Sequence, residues 1–292
     1  VTVEVEPTEA PDFSELADAA AIAGMIGYYT PLLPPAGATE LTRAEYKPGL
    51  HIWTYGRAGA SGLSGDRSGA PGVLFVHGGG WGGGDPSFHA RHAHQLAERG
   101  YVTAFIEYRL TPVAPWPAQL DDVNDAVAWL RAAAPGLGLD PGRLAVAGGS
   151  AGGHLAAMAA LSPGSSGPVQ AAVLWYPAVD LRSFDAIEDA RVMTDALLPG
   201  ASADDLLAAS PLSRVTAEAP PVLSMTGDLD WLTTVADISA FHGLLDDVGV
   251  RNELVVFKGR EHGFDYHPAD WQVCFERMAA FLDSALQAQT TL

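Results

Sequence analysis

The chain has 292 residues and 30.5 kDa, with 48% hydrophobic and 17% charged residues, and 16 Lys+Arg against 35 Asp+Glu give a net charge of −19. That composition is globular and long enough to bury a sizeable core. Its acidity argues against nucleic acid and anionic membrane surfaces as partners, because both need a basic footprint.

Cys274 is the single cysteine, so no intrachain disulfide and no cysteine metal cluster is expected. Its surroundings read as the buried face of a last helix. No run of 18 apolar residues suggests a membrane span. Residues 1–11 lack the charged start and apolar core of a signal peptide, which points to a cytoplasmic protein. Residues 1–12 read as a mobile acidic tail.

Phe13, Leu16, Ala20, Ala23 and Ile26 fit one helical face over residues 13–29, and Pro31, Pro34 and Pro35 end it. Strands follow at 41–46 and 50–55, turned by Pro48-Gly49. The Gly- and Ser-rich stretch 56–72 reads as a mobile surface loop. Further strands are expected at 73–76, 102–106, 144–147, 171–175, 222–225 and 253–257. Helices are expected at 87–99, 121–134, 151–161, 233–248 and 271–286. This alternation predicts an α/β fold with a mostly parallel eight-stranded sheet covered by helices on both faces. Residues 180–215 break the rhythm with acidic helix-like pieces, and such an insertion at the strand ends would sit over a site as a lid.

The chemistry concentrates at Gly148-Gly149-Ser150-Ala151-Gly152, between a buried apolar run and an Ala-rich helix. A G-x-S-x-G pentapeptide in that context is a nucleophile elbow, and without the context it is only a Gly-rich turn. A serine hydroxyl needs a base and an orienting acid. Two loops after later strands supply them, in the order Ser, Asp, His. Asp228 and Asp230 follow the strand at 222–225, with Asp230 preferred and Asp228 capping the strand end. His262 follows the last strand and precedes Gly263, and His267 is the weaker fallback. The run His77-Gly78-Gly79-Gly80-Trp81 after a buried strand leaves backbone N–H groups free for an oxyanion. A phosphate loop is the rival reading, but Gly-Lys-Ser/Thr is missing.

Those stretches, with Tyr108-Arg109-Leu110, Ala114-Pro115-Trp116-Pro117, His154, Gly227-Asp228-Leu229-Asp230 and His262-Gly263-Phe264, resemble the α/β-hydrolase superfamily. Within it the chain is similar to the hormone-sensitive-lipase and HGGGW-type bacterial esterases, with a kynurenine-formamidase-like flavour. The resemblance implies an α/β-hydrolase fold with a small helical cap. Residues 1–40 would form a tail and cap helix, and 41–292 the catalytic domain with a cap insertion at about 180–215. It implies Ser150 as nucleophile, His262 as base and Asp230 as its acid. Gly79, Gly80 and Ala151 would be oxyanion donors, and His77 would brace their loop.

Trp81, Trp116, Tyr29 and Met193 are candidate pocket residues, whereas Trp175 could equally be core. His154 is expected to pack behind the glycine loop, and Asp121, Asp122 and Asp125 to form a charge cluster at a helix start. No metal and no cofactor is expected. The substrate class implied is a small-molecule carboxylic ester, with N-formyl amide or thioester hydrolysis, acyl transfer or cyclisation, and non-catalytic binding as alternatives. The resemblance leaves room for a homodimer. Two departures stand out: Gly149 replaces the aspartate common before the serine, and Val113 replaces the usual acid after Tyr-Arg-Leu-x-Pro.

Overall fold

Short β-rich runs and amphipathic stretches alternate along the chain, and in the computed structural model they assemble into one mixed sheet. The structure describes residues 1–6, 41–57, 69–165, 167–185 and 187–286. The expected helix at 13–29, with Tyr29, and most of the loop at 56–72 lie outside those residues.

The strands are β1 (Thr2–Val5), β2 (Thr42–Lys47), β3 (Leu50–Tyr55), β4 (Ala70–Val76), β5 (Val102–Ile106), β6 (Leu139–Gly149), β7 (Ala171–Trp175), β8 (Val222–Gly227) and β9 (Asn252–Phe257). They run in the order β1-β9-β8-β7-β6-β4-β5-β3-β2, parallel except for the β2–β3 and β3–β5 pairs. The helices are α1 (Ala90–Glu98), α2 (Ala118–Leu137), α3 (Ala151–Leu161), α4 (Leu181–Asp185), α5 (Glu188–Leu197), α6 (Ala203–Ala208), α7 (Val235–Asp247) and α8 (Pro268–Ala285).

Among the described residues, nine strands form the sheet where eight were expected. The additional one comes from the stretch read as an acidic tail: Thr2–Val5 pairs in parallel with Leu254–Phe257. The physical reason is its period of two. Val3 and Val5 turn to the core side, while Glu4 stays outside and meets Lys258 Nζ at 3.0 Å.

The alternation within β4 splits the core into two layers. Leu74 and Val76 face the layer containing residues of α2, α3 and α7, and Val73 and Phe75 face the layer with α1 and α8. Helix α3 is central and apolar on every side, so all but its last residue are buried. Cys274 is buried in the second layer. The chain between β7 and β8 holds α4, α5, α6 and a 3₁₀ turn, Pro211–Arg214. It departs from the C-terminal end of β7, the side on which an open α/β sheet presents its crevice, and returns to the N-terminal end of β8.

One expectation changes character. Asp122, expected as part of a charge cluster at a helix start, is near the start of α2 but fully buried. A buried carboxylate needs partners. Asp122 accepts from the Arg109 backbone N–H at 2.9 Å and from Arg109 Nε at 2.8 Å, and it pairs with Lys47 Nζ at 2.7 Å. It therefore ties the Tyr108–Leu110 segment and β2 to α2.

Candidate active site

Strand β6 ends in a turn that few residues tolerate. Ser150 has φ +55° and ψ −123°, a left-handed conformation costly for any side chain-bearing residue. Its N–H donates to the Trp175 carbonyl at 2.9 Å, and its carbonyl accepts from His154 in the first turn of α3. Glycine is required beside it. A Cβ on Gly152 would land on the carbonyls of Val76 and His77, and one on Gly148 would strike Gly152. Helix and strand thus meet at backbone distance, and the Ser150 hydroxyl is carried out past the sheet edge.

Two loops reach that hydroxyl. His262 Nε2 lies 2.9 Å from Ser150 Oγ, and His262 Nδ1 lies 2.8 Å from Asp230 Oδ2. A carboxylate can only accept, so Nδ1–H donates to Asp230 and Nε2 is left to accept the serine proton. Asp230 is held in turn by the N–H groups of Leu232 and Thr233 at 2.9 and 2.8 Å and by Thr233 Oγ1 at 2.8 Å. Its side chain is wholly buried. The neighbouring acid does different work: Asp228 accepts the Gly259 N–H at 2.6 Å and so fastens the two loops together. His267 stands before α8, with Nδ1 3.8 Å from Asp270.

The glycine loop is oriented by its carbonyls. A trans peptide points C=O and N–H in opposite directions. The Gly78 carbonyl accepts from His77 Nδ1 at 2.8 Å, and the Gly79 carbonyl accepts from Gly82 and Gly83 at 3.2 and 3.0 Å. The N–H groups of Gly79 and Gly80 therefore face away from the loop's own bonds. The Ala151 N–H emerges from the open start of α3, where helix N–H groups lack internal partners. The loop abuts the elbow, since a Cβ on Gly78 would come 3.3 Å from Ser150 Cβ. Burial lowers the His77 pKa and keeps the ring neutral. The imidazole stacks on Tyr108, whose hydroxyl donates to the His77 carbonyl at 2.9 Å.

Among the candidate pocket residues, Trp81 is 1% exposed, and its indole N–H donates to His154 Nδ1 at 3.2 Å. That leaves His154 Nε2–H to donate to the Ala209 carbonyl at 2.8 Å, and burial pushes this histidine down to about 4. Trp81 thus packs behind the glycine loop, with Trp116 half-buried against the same imidazole. Met193, on α5, reaches the front of the loop, its Sδ 2.5 Å from where a Cβ of Gly80 would stand. Trp175 is core. Val113 is 93% exposed and makes no inward contact in place of the acid expected there.

Besides Thr233, whose hydroxyl lies 3.3 Å from His262 Nδ1, Tyr176 and Asp265 beside the imidazole escaped the sequence reading. The Tyr176 ring stands edge-on to His262 with centroids 4.6 Å apart, and its hydroxyl donates to buried Asp265. Trp175-Tyr176-Pro177 directly after β7, and Asp265 three residues beyond His262, were the available signals. Tyr176 also explains Gly149, because a Cβ there would press to 3.3 Å from the tyrosine ring and hydroxyl. Among the described residues, no group of three or more His, Cys, Asp or Glu side chains could hold a metal ion, and no helix is long and apolar enough to cross a membrane.

Comparison with known proteins places residues 73–266 on a family model described as the α/β-hydrolase fold. The chain is 34% identical over 227 residues to LipM of Mycobacterium tuberculosis, a probable carboxylic ester hydrolase, covering 68% of this chain and 51% of that one. It is 35% identical to the carboxylesterase NlhH of the same organism, covering 68% of this chain and 67% of that one. The chain spans about half the length of the first curated relatives it matches. Among solved structures, esterase 2 of Thermogutta terrifontis with butyrate bound superposes with a TM-score of 0.71 at 26% identity. That match covers 88% of this chain and 97% of that one.

Proposed function

The chain belongs to the α/β-hydrolase family, and from that premise we propose that it is a serine hydrolase cleaving carboxylic esters of small or medium acyl groups. The observation that carries this reading is the unbroken hydrogen-bonded line from Ser150 Oγ through His262 to Asp230. The esterases among its relatives, and the butyrate bound to one of them, support the substrate class.

In this reading Ser150 Oγ attacks the ester carbonyl while His262 Nε2 takes its proton. The carbonyl oxygen becomes an oxyanion facing the N–H groups of Gly79, Gly80 and Ala151. Donors fixed in advance stabilise it, each worth roughly 3 kcal/mol of the barrier. His262 then returns the proton to the leaving alcohol, leaving an acyl-serine. Water, deprotonated by the same imidazole, attacks that ester and releases the acid. Asp230 remains ionised, holding the ring in one tautomer and stabilising the imidazolium. The helical segment 180–215, carrying Met193, serves as a cap over the acyl side.

Turnover of p-nitrophenyl acetate and butyrate tests the assignment. Ser150→Ala should abolish it while leaving the unfolding temperature unchanged, and an alkyl phosphonate should label Ser150 alone. Full activity in that variant would sink the proposal.

A further inference from the structure

The imidazole of His262 has a neighbour on each side, and only Asp230 has a role in the scheme above. Behind it lies a buried polar group that the relay does not use. Tyr176 directly follows β7 with φ +36°, and its N–H donates to the Met225 carbonyl at 2.7 Å. The preceding carbonyl, that of Trp175, holds the Ser150 N–H. One short segment therefore anchors the elbow through its backbone and meets His262 through its ring.

The hydroxyl of that ring donates to Asp265, which sits in the turn Phe264–Tyr266 just after His262 and is 3% exposed. Tyr266 also hydrogen-bonds to Tyr176. Phe264 closes the group, edge-on to Tyr176 at 5.8 Å.

We propose that Tyr176 and Asp265 are a positioning pair for His262: the tyrosine ring is the wall that the imidazole leans on, and the carboxylate is a second negative charge favouring the imidazolium. The inference rests on His262 acting as the base of a serine hydrolase.

Packing alone does not account for a carboxylate there. An apolar residue would fill the same buried space without the desolvation cost of a charge. The charged and titratable groups facing Asp265 are few. Tyr176 comes from the end of β7, and His262 and Tyr266 from its own loop. Asp270 and Cys274 come from α8. Asp270 is already engaged by Arg260, at 2.6 Å and 3.2 Å. The developing imidazolium is thus the cation toward which Asp265 is free to act.

Burial pushes the Asp265 carboxyl up to about 6, against the opposing pull of the tyrosine hydroxyl. Above that pH the group is an anion beside the imidazole, and below it the pair becomes neutral. Neutralising Asp265 removes a negative charge that favours the imidazolium over the neutral ring.

The experiment compares pH profiles of kcat/KM for p-nitrophenyl butyrate. Asp265→Asn keeps an acceptor for the tyrosine but removes the charge. It should lower kcat several-fold with KM little changed, and move the acid limb down by about half a pH unit or more. Tyr176→Phe keeps the wall and removes the donor, which raises the carboxyl pKa further. Its acid limb should move in the same direction. The imidazole of His262, titrated by NMR in a Ser150→Ala background, reports the same shift without activity and serves if either single variant turns over too slowly.

Variants that fold and give the parent profile, with Ser150→Ala inert, would overturn the positioning role and leave the hydrolase reading intact. So would a loss of activity that follows unfolding alone, with an unmoved His262 titration. An active Ser150→Ala protein would overturn both.

Discussion

At the scale of single residues, the two acids after β8 differ by what they touch. Asp230 meets the imidazole, whereas Asp228 spans two loops through the Gly259 N–H. Asp230→Asn keeps the shape but presents an amide where Nδ1–H requires an acceptor. The imidazole then turns to the wrong tautomer, and kcat should fall by about 10³–10⁴-fold. Asp228→Asn still offers an oxygen to Gly259, so its kcat should stay within a few-fold of the parent. Steady-state rates with p-nitrophenyl butyrate decide between them, and equal losses in both variants would contradict the division of roles. Thr233 is a third partner that loop order alone did not reveal. Its hydroxyl donates to the Asp230 oxygen that also receives His262.

At the scale of elements, the chain's own pattern located most of the frame and missed what depends on contacts between distant segments. Helix α3 and strand β7 run over the residues expected, 151–161 and 171–175, because glycines, proline or polar residues bracket strong apolar runs there. Strand β6 begins earlier, at Leu139, because Ala70 pairs with Leu139 ahead of the apolar run. Strand β1 was hidden because a four-residue strand with one acid inside and another just after it resembles a solvated tail until β9 provides an edge to add to.

The order of serine, aspartate and histidine was legible, since each follows a strand. The Tyr176–Asp265 contact was not, as nothing local marks a tyrosine and an aspartate 89 positions apart as partners. Asp122 shows the same limit: the pattern placed it in a charge cluster at a helix start, and only the fold brings Arg109 and Lys47 onto it. Asp122→Ala should cost on the order of 2–3 kcal/mol in urea unfolding, since bonds to a charged group are lost with their donors left behind. It should also loosen the Tyr108 segment behind His77. Stability equal to that of the parent would show the cluster to be incidental.

At the scale of the whole molecule, two effects compete as the medium is acidified. A net charge of −19 with an isoelectric point near 4.6 means that lowering the pH from 7 relieves self-repulsion and favours the folded state. Buried histidines act the other way. Burial pushes His89 down to about 3, and His154 and His242 down to about 4. Each is held neutral in the folded chain but binds a proton near 6.5 once unfolded.

The unfolded state therefore takes up more protons below 6.5. The stability these groups contribute is complete above that pH, is lost as pH falls, and is gone below the folded values. The slope is about 1.4 kcal/mol per pH unit for each histidine within its window. Asp265, raised to about 6, offsets one such slope between 6 and its unfolded value near 3.8. These three histidines, with His77 and His92 shifted the same way, outweigh the one raised carboxylate and leave a net loss on the order of a few kcal/mol between pH 6.5 and 5. Diffuse repulsion, screened within about 8 Å at physiological salt, is the smaller term. Urea unfolding at pH 7 and pH 5 should thus show the midpoint falling with acid. A midpoint that rises toward the isoelectric point would mean that surface charge, not the buried imidazoles, governs the acid response.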